Sequence, residues 1–137
     1  CYEQSMIVDA GYVYAMTDTG IVFCWRATDG RVMWRERLRG PISSSPVIAG
    51  GNIYMSNELG TTFVFKASPT KYIEMGRNSL GNNVFATPSI CGGRVYARVG
   101  HLEAGSRREM LYCIADGTTT SRSRPASPSG SDSGTDR

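Results

Sequence analysis

Short apolar runs separated by turn residues recur along the whole chain. The runs are strand-sized, rich in β-branched and aromatic residues, and bounded by Gly, Pro, Asn or Asp, which is typical of strands joined by tight turns. No segment has the apolar spacing of a long helix. The pattern therefore predicts an all-β protein with no helix of three turns or more between residues 5 and 115.

The first part of this pattern occurs three times. Ser5–Tyr14, Ser45–Tyr54 and Thr87–Tyr96 align residue by residue, and the period of about 40 residues lies in the range of β-propeller blades. Strand-sized runs within each unit favour a propeller over a helical solenoid. The alignment predicts that the chain is built from repeated β-sheets.

A second apolar run follows in each unit. Gly20 and Gly60 precede the runs Ile21–Trp25 and Thr61–Phe65, whereas the third unit reaches its run, Met110–Ile114, only after a longer polar connection. We expect these runs to be the third strands of successive sheets, with small apolar residues at equivalent positions packed between the sheets.

A fourth run ends the first two units, at Arg31–Arg35 and Lys71–Met75. A four-stranded antiparallel sheet that is apolar on both faces buries them when several sheets stack radially around a channel. The sequence thus predicts a partial β-propeller of about three four-stranded blades over residues 1–116, the last blade lacking its outer strand.

Residues 117–137 differ in composition from the repeats. They contain many Ser, Gly and Thr residues and no aromatic or large aliphatic residue, so burial cannot offset the entropy cost of ordering them. We expect a disordered tail. Because closed rings have about four to eight blades, we interpret the chain as the C-terminal piece of a longer propeller.

The segment Cys24–Trp34 resembles the signature of PQQ-like (pyrrolo-quinoline quinone) β-propeller repeats. It joins an apolar strand, an Ala-x-x-Gly turn ending at Gly30 and a tryptophan four residues later. The resemblance covers residues 5–115 and implies that Trp34 docks against a neighbouring blade by stacking and through its indole N–H. The second unit departs from the signature, because Glu74 stands where tryptophan is expected. The positions that we assign to the structural repeat motif are Gly30, Trp34, Pro46, Gly51, Tyr54, Gly60, Pro88, Gly93 and Tyr96.

The four cysteines and the single histidine show no metal-site spacing. Cys24 and Cys113 hold one apolar strand position in the repeat, so we expect both to be buried and unpaired. Cys91 is expected at the start of a turn, and Cys1 gives no further indication. His101 lies in a polar, Gly-containing stretch, where we expect a surface loop residue.

The formal charge of +3 is too small for a nucleic-acid-binding surface. Arg35, Arg37 and Arg39 alternate at strand period and share one face, which we expect to be solvated. No apolar stretch is long enough to span a membrane, and the first residues do not resemble a signal peptide. The chain begins with Cys1 rather than Met, so we expect that the N-terminus of the parent protein is missing or processed.

Two functions of different class remain open. The first is a non-catalytic binding or scaffold platform for a protein partner, with Asn57–Leu59, Asn82–Asn83 and Val99–Glu109 as candidate surface loops. The second, implied by the resemblance alone, is a fragment of a PQQ-dependent quinoprotein dehydrogenase. Such enzymes hold the quinone and Ca²⁺ in the propeller channel, and Asn57–Glu58 is a weak candidate for oxygen ligands.

We favour the platform and assign no catalytic, cofactor-binding or metal-binding residue. We expect no cofactor, no nucleic acid and no membrane span, but we expect contacts with the remaining blades of a parent chain and with an unidentified protein partner. The resemblance also covers a lipoprotein of the outer-membrane barrel-assembly machinery and sensor domains, both with interaction roles. It implies a location in the periplasm or cell envelope.

Overall fold

The computed structural model describes residues 3–115, and the regular structure in this range is entirely β-strand. Eleven strands form three antiparallel sheets of four, four and three strands. Sheet 1 contains β1 (Ile7–Asp9), β2 (Tyr12–Met16), β3 (Ile21–Arg26) and β4 (Val32–Arg37). Sheet 2 contains β5 (Val47–Ala49), β6 (Asn52–Ser56), β7 (Thr61–Lys66) and β8 (Glu74–Ser79). Sheet 3 contains β9 (Ser89–Cys91), β10 (Arg94–Glu103) and β11 (Ser106–Ala115).

Each sheet is a meander in which consecutive strands pair. The short first strands lie at one edge of their sheets, and β5 contacts β9, so the sheets approach one another along these edges. This is the arrangement of propeller blades. The all-β class and the partial propeller, with only three strands in sheet 3 within the described range, are as the sequence predicted. The expected boundary after residue 116 and the expected disordered tail lie outside the described residues.

The strand register repeats from sheet to sheet. Tyr14, Tyr54 and Tyr96 each pair with the first residue of the preceding strand. Two-residue turns join these strands, and Gly51 and Gly93 adopt φ angles of 73° and 71°. Positive φ at both turn residues gives the twist that suits a tight hairpin, and glycine adopts it without a steric penalty.

Close approach of two backbone segments explains why glycine recurs before β3 and β7, at Gly20 and Gly60. A Cβ atom on Gly60 would overlap the carbonyl oxygen of Gly81, and one on Gly20 would lie 2.6 Å from the carbonyl oxygen of Gly40. These contacts hold the turn before each third strand against the connection that leaves the same sheet. A side chain at either position would push the two segments apart.

The expectation of a polar loop at residues 99–109 is wrong. β10 and β11 pair without interruption from Arg94 opposite Ala115 to Glu103 opposite Ser106, and the turn lies at Ala104, with a φ of 46°. The hairpin extends beyond the neighbouring sheet, so both of its faces contact solvent and no apolar alternation is required. Backbone pairing alone therefore forms a strand that the hydrophobic pattern does not reveal.

The apolar core lies between sheets 1 and 2. Along each strand alternate side chains point to opposite faces, so the inward rows of the two sheets meet in one cluster. Trp34 and Tyr72 pack against its edge. The buried members of the cluster are Tyr14, Met16, Val22, Cys24, Leu38, Ile42, Ile53, Met55, Phe63 and Phe65.

Hydrogen bonds that precede the first strands connect all three units. The backbone N–H of Ser5 donates to Oγ of Ser45 at 3.0 Å, and the N–H of Ser45 donates to Oγ1 of Thr87 at 2.9 Å. The next residues in the second and third units, Pro46 and Pro88, are buried. The repeat period thus appears directly as a chain of equivalent bonds between sheets.

Candidate functional site

The three candidate loops lie at one end of the sheets. The carbonyl oxygen of Glu58 accepts a hydrogen bond from the N–H of Val84 at 3.0 Å. The N–H groups of Asn82 and Asn83 donate to the carbonyl oxygen of Gly100 at 3.1 and 3.2 Å. The turn before β7, the connection between sheets 2 and 3, and the long hairpin therefore form one continuous surface, which we call the hairpin end.

Asn57 is a structural residue of this end rather than a surface contact. It is only 2% exposed, its Nδ2 donates to the carbonyl oxygen of Arg39 at 2.7 Å, and its Oδ1 accepts from the N–H of Thr61 at 2.7 Å. The neighbouring Glu58 carboxylate accepts a hydrogen bond from the Ser43 hydroxyl at 2.7 Å. Both sides of the Asn57 amide are engaged, so the Asn57–Glu58 pair does not fit the role of calcium ligands.

Asn82 fixes the root of the hairpin. Its Oδ1 accepts from the N–H of Leu102 at 2.7 Å, and its Nδ2 donates to the Leu102 carbonyl oxygen at 3.0 Å. The side chain therefore imitates a neighbouring strand, and Asn83 forms a backbone bridge with Gly100. These bonds attach the projecting hairpin firmly to sheet 2.

Three large apolar side chains are exposed at the hairpin end. Leu59, Phe85 and Leu102 are 59%, 45% and 45% exposed, and we call them the apolar rim. The guanidinium of Arg107 lies 5.9 Å from the centre of the Phe85 ring, within the range of a cation–π contact. The sequence analysis named Leu59 and Leu102 within loops but missed Phe85. An aromatic residue two positions after the Asn82–Asn83 turn could have indicated it.

The hairpin carries charged and aromatic pairs, some along one strand and some between its two strands. The Glu109 carboxylate lies 2.5 Å from Nη1 of Arg107 and 3.4 Å from Nη1 of Arg98. His101 is a half-buried strand residue rather than the expected loop residue, and its Nε2 lies 2.9 Å from the Tyr112 hydroxyl. These contacts stiffen a segment that is otherwise exposed on both faces.

Trp34 connects sheets 1 and 2. Its indole N–H donates to the carbonyl oxygen of Ser68, in the turn after β7, at 2.8 Å. Its ring lies 6.2 Å from Tyr14, 6.4 Å from Phe65 and 6.0 Å from Tyr72, measured between ring centres. Trp34 thus has the backbone acceptor in the adjacent unit that the resemblance implied, but its ring contacts are tilted or edge-to-face and not stacked. Gly30 forms the turn before Trp34 with a φ of 70°.

Glu74 does not occupy the position equivalent to Trp34. Trp34 pairs with Cys24, whereas the equivalent residue of sheet 2, Val64, pairs with Gly76. Glu74 instead pairs with Phe65 beside a β-bulge. Sheet 1 has the same bulge, between Cys24 and Trp25, where Trp25 pairs with Val32. Residues 66–73 separate Phe65 from Glu74, whereas only residues 26–31 separate Trp25 from Val32. The connection after β7 is therefore longer by two residues, which is why counting from the preceding turn gave the wrong residue.

Glu74 has a local role on the surface. Its carboxylate accepts hydrogen bonds from the Arg77 guanidinium, the shorter at 2.9 Å, and from the Tyr72 hydroxyl at 3.0 Å. The bonds from Arg77 lower the pKa of Glu74, whereas burial and the bond to Glu74 raise the pKa of Tyr72. The pair holds Tyr72 in place against Trp34.

A cavity of about 350 Å³ lies between sheets 2 and 3. One wall comes from sheet 2 and the connection that leaves it, and the other from sheet 3. Tyr54 and Pro88, both assigned to the repeat motif, line it, and Tyr96 is half-buried nearby on β10. The apolar lining residues are Val64, Leu80, Val84, Ala86, Val95, Ala97, Val99 and Ile114, and Ser56, Thr62, Asn78, Ser79 and Arg98 complete the wall.

Cys24 and Cys113 are equivalent in register but differ in environment. Cys24 pairs with Tyr14 and Cys113 with Tyr96, and both are free thiols. Cys24 is fully buried, and burial raises its pKa. The expected burial of Cys113 is wrong, because no sheet among the described residues covers that face of sheet 3. Cys91 ends β9 before a turn, as expected, and is exposed.

Residues 3–115 offer neither a metal-binding cluster nor a membrane-spanning helix. No group of three or more His, Cys, Asp or Glu side chains in this range is placed to hold a metal ion. The same residues contain no helix that could cross a membrane.

The comparisons with known proteins identify the repeat type. Residues 3–69 match a PQQ-type family model described as outer membrane protein assembly factor BamB. None of the curated proteins is significantly similar to the chain in sequence.

Solved structures share the fold. BamB from Moraxella catarrhalis is 16% identical, with a TM-score of 0.58 over 69% of this chain. The quinohemoprotein alcohol dehydrogenase ADHIIG from Pseudomonas putida HK5 is 17% identical, with a TM-score of 0.69 over 82% of this chain. The quinohemoprotein alcohol dehydrogenase from Comamonas testosteroni is 15% identical, with a TM-score of 0.59 over 70%.

The chain spans 28%, 19% and 17% of the lengths of these three structures. Their sequence identity supports a common fold and no more. The family match covers residues 3–69, just under half of the chain, and the chain as a whole is similar in fold to PQQ-type β-propeller proteins.

Proposed function

We propose that the chain is a non-catalytic platform of a larger envelope protein and that it docks a protein partner at the hairpin end. The observation that carries this proposal is the apolar rim, where Leu59, Phe85 and Leu102 are exposed at one end of the sheets. Exposed apolar side chains on a rigid frame are typical of interaction surfaces. The match to an outer membrane assembly factor supports an interaction role and an envelope location.

The hairpin end is suited to docking because its loops are already ordered. Asn57 and Asn82 attach the loops to neighbouring backbone, so little conformational entropy is lost when a partner binds. Phe85 and Leu102 provide apolar contact area, and Arg107, above Phe85, provides hydrogen-bond donors. A partner surface with apolar side chains bordered by carboxylates is the best match.

Site-specific photo-crosslinking tests this proposal. A photoreactive phenylalanine analogue replaces Phe85 or Leu102 in the protein expressed with its parent chain. The matched controls carry the analogue at Ala27 or Lys71, which are exposed at the opposite end of the sheets. We expect a discrete crosslinked protein at the rim positions only. Equal products at both ends would contradict the proposal.

An affinity measurement then uses the partner identified by crosslinking. Replacing Leu59 or Leu102 with Asp places a charge in the apolar contact and is expected to weaken binding at least tenfold. Replacing Arg31 with Asp, at the far end, is the matched control and should leave binding unchanged. Equal affinity of the rim variants and the control would contradict docking at this end.

The alternative, a fragment of a PQQ-dependent dehydrogenase, predicts a different result. Adding the quinone and Ca²⁺ to the purified protein would then give a bound chromophore that survives gel filtration. We expect none to be retained. A retained chromophore, together with no crosslinks at either end, would contradict the platform function and support the dehydrogenase alternative.

A further inference from the structure

The two spaces between the sheets have the same register but different contents. Between sheets 1 and 2, Trp34 lies in the row of Tyr14 and Cys24. Between sheets 2 and 3, the same row is Tyr54, Val64 and Gly76. A Cβ atom on Gly76 would have no atom within 4 Å, so the second space is open where the first contains an indole ring.

Other equivalent positions are also smaller around the second space. Met16 and Val22, which pair in sheet 1, correspond to Ser56 and Thr62 in sheet 2. On the facing sheets, Phe65 corresponds to Ile114, because each pairs with the second residue of its preceding strand. Several reductions in volume thus combine between the same two sheets. The cavity of about 350 Å³ is lined by Ser56, Thr62 and Ile114, and also by Tyr54 and Val64 from the row of Gly76.

A space of this kind binds apolar molecules readily. An apolar cavity of about 150 Å³ in a protein interior accepts benzene, and ligand pockets commonly begin at about 300 Å³. We propose that the cavity between sheets 2 and 3 binds a small, uncharged, planar aromatic molecule of one or two rings, of the indole class. This site lies next to the hairpin end, with which it shares Val84 and Val99, and it extends the function proposed above.

The chemistry of the wall favours a neutral aromatic ligand. Tyr54 provides a ring in the position from which Tyr14 contacts Trp34, and Val64 and Ile114 provide flat apolar contacts. The hydroxyls of Ser56 and Thr62, which bond to each other at 2.8 Å, lie in the wall and can accept from a ligand N–H.

Among the described residues of the wall, one carries a charge. The guanidinium of Arg98 lies 3.4 Å from the Glu109 carboxylate, so its charge is already paired. A charged ligand would lose hydration without a partner of opposite sign. Uncharged aromatic compounds are therefore expected to bind in preference to aromatic amino acids.

Indole itself is the probe for the direct test. Calorimetry and ligand-observed NMR with the full 137-residue chain are expected to show one site with a dissociation constant on the order of 1 mM or lower. Zwitterionic tryptophan should bind at least tenfold more weakly. Failure of indole to bind would overturn the proposal without affecting the platform function, because crosslinking at the hairpin end is measured independently.

A pair of variants places the site. Gly76→Trp supplies the missing indole from the protein, and the φ of Gly76 is not in the left-handed region, so the backbone tolerates a side chain. We expect this variant to lose indole binding at least tenfold. The matched control is Met75→Trp on the same strand, since Met75 is exposed and, as the neighbour of Gly76, points to the opposite face of the sheet. It should bind indole normally. Equal binding by the two variants would overturn the proposal.

The reverse exchange gives an independent result. Trp34→Gly opens the equivalent space between sheets 1 and 2 and is expected to raise the stoichiometry from one indole to two. If this variant does not fold, the Gly76 and Met75 pair decides the question alone. Sedimentation tests whether a second copy of the chain occupies the space. If the parent chain self-associates and does not bind indole, and Gly76→Trp abolishes the self-association, the space belongs to a second copy and the proposal is overturned.

Discussion

The contact between sheets 1 and 2 and the contact between sheets 2 and 3 are built on the same strand register but packed to different degrees. In the first, Tyr14, Cys24 and Phe65 are at most 1% exposed. In the second, the equivalent Tyr54 and Val64 are half-buried and Ile114 is 50% exposed. Register therefore determines where the side chains meet, and side-chain volume determines whether the contact is closed.

The clearest difference is expected from truncating equivalent residues of the two contacts. Phe65→Ala removes a fully buried ring and is expected to cost about 3–5 kcal/mol of unfolding free energy. The matched Ile114→Ala variant removes a half-exposed side chain beside an existing cavity and should cost about 1 kcal/mol or less. Urea unfolding followed by circular dichroism measures both.

Equal losses of unfolding free energy for the two truncations would contradict the difference between the two contacts. They would mean that sheet 3 is packed as closely in solution as sheets 1 and 2 are. The Gly76→Trp variant sharpens the same point, because filling the open space is expected to raise the midpoint of unfolding and not to lower it.

Thiol reactivity compares two equivalent cysteines. Cys24 is fully buried and its pKa is raised by burial, so the reactive thiolate is both rare and inaccessible at neutral pH. Cys113 is exposed. We expect alkylation followed by peptide mass spectrometry to label Cys113 at least a hundredfold faster than Cys24. Comparable rates would show that the first contact opens readily.

Alkaline pH is expected to weaken the closed contact. Burial raises the pKa values of Tyr14, Cys24 and Tyr72, so the folded protein keeps protons that the unfolded chain releases above its ordinary values of about 8.5 for Cys and about 10 for Tyr. The folded state then binds more protons, and the unfolding free energy falls as the pH rises beyond about 8.5. Thermal unfolding between pH 7 and pH 11 measures this fall.

The control for the alkaline effect is Tyr14→Phe, which removes one of the titrating groups from the same contact. Its stability should decline less steeply above pH 10 than that of the parent chain. An identical decline would assign the pH dependence to groups outside the contact between sheets 1 and 2.

Much of this fold was accessible from the sequence because the blade pattern depends on local signals. Turn glycines such as Gly51, β-branched runs and the repeat of Tyr14, Tyr54 and Tyr96 define strands and their order. The docking of Trp34 followed from a short signature.

Four features were not accessible from the sequence, each for a physical reason. The connection before Glu74 is longer than its counterpart in sheet 1, which moved Gly76 to the position equivalent to Trp34. The exposed hairpin at residues 99–109 needs no apolar alternation. The exposure of Cys113 depends on what stacks against sheet 3. The cavity results from several small volume differences across two sheets, which no single segment reveals.

The smallest expected effect concerns the feature that both contacts share, the hydrogen bonds before the first strands. Ser45→Ala removes the acceptor for the N–H of Ser5, and Thr87→Val removes the acceptor for the N–H of Ser45. Both bonds are exposed, so water can replace the lost partner and each change should cost only about 0.5–1 kcal/mol. Because these bonds follow the backbone repeat and not the packing, we expect the two costs to agree within about 0.5 kcal/mol in urea unfolding. A Thr87→Val cost near zero beside a clear Ser45→Ala cost would show that sheet 3 is attached more loosely than its bonds indicate, and the difference between the two contacts would then extend from side-chain packing to the backbone.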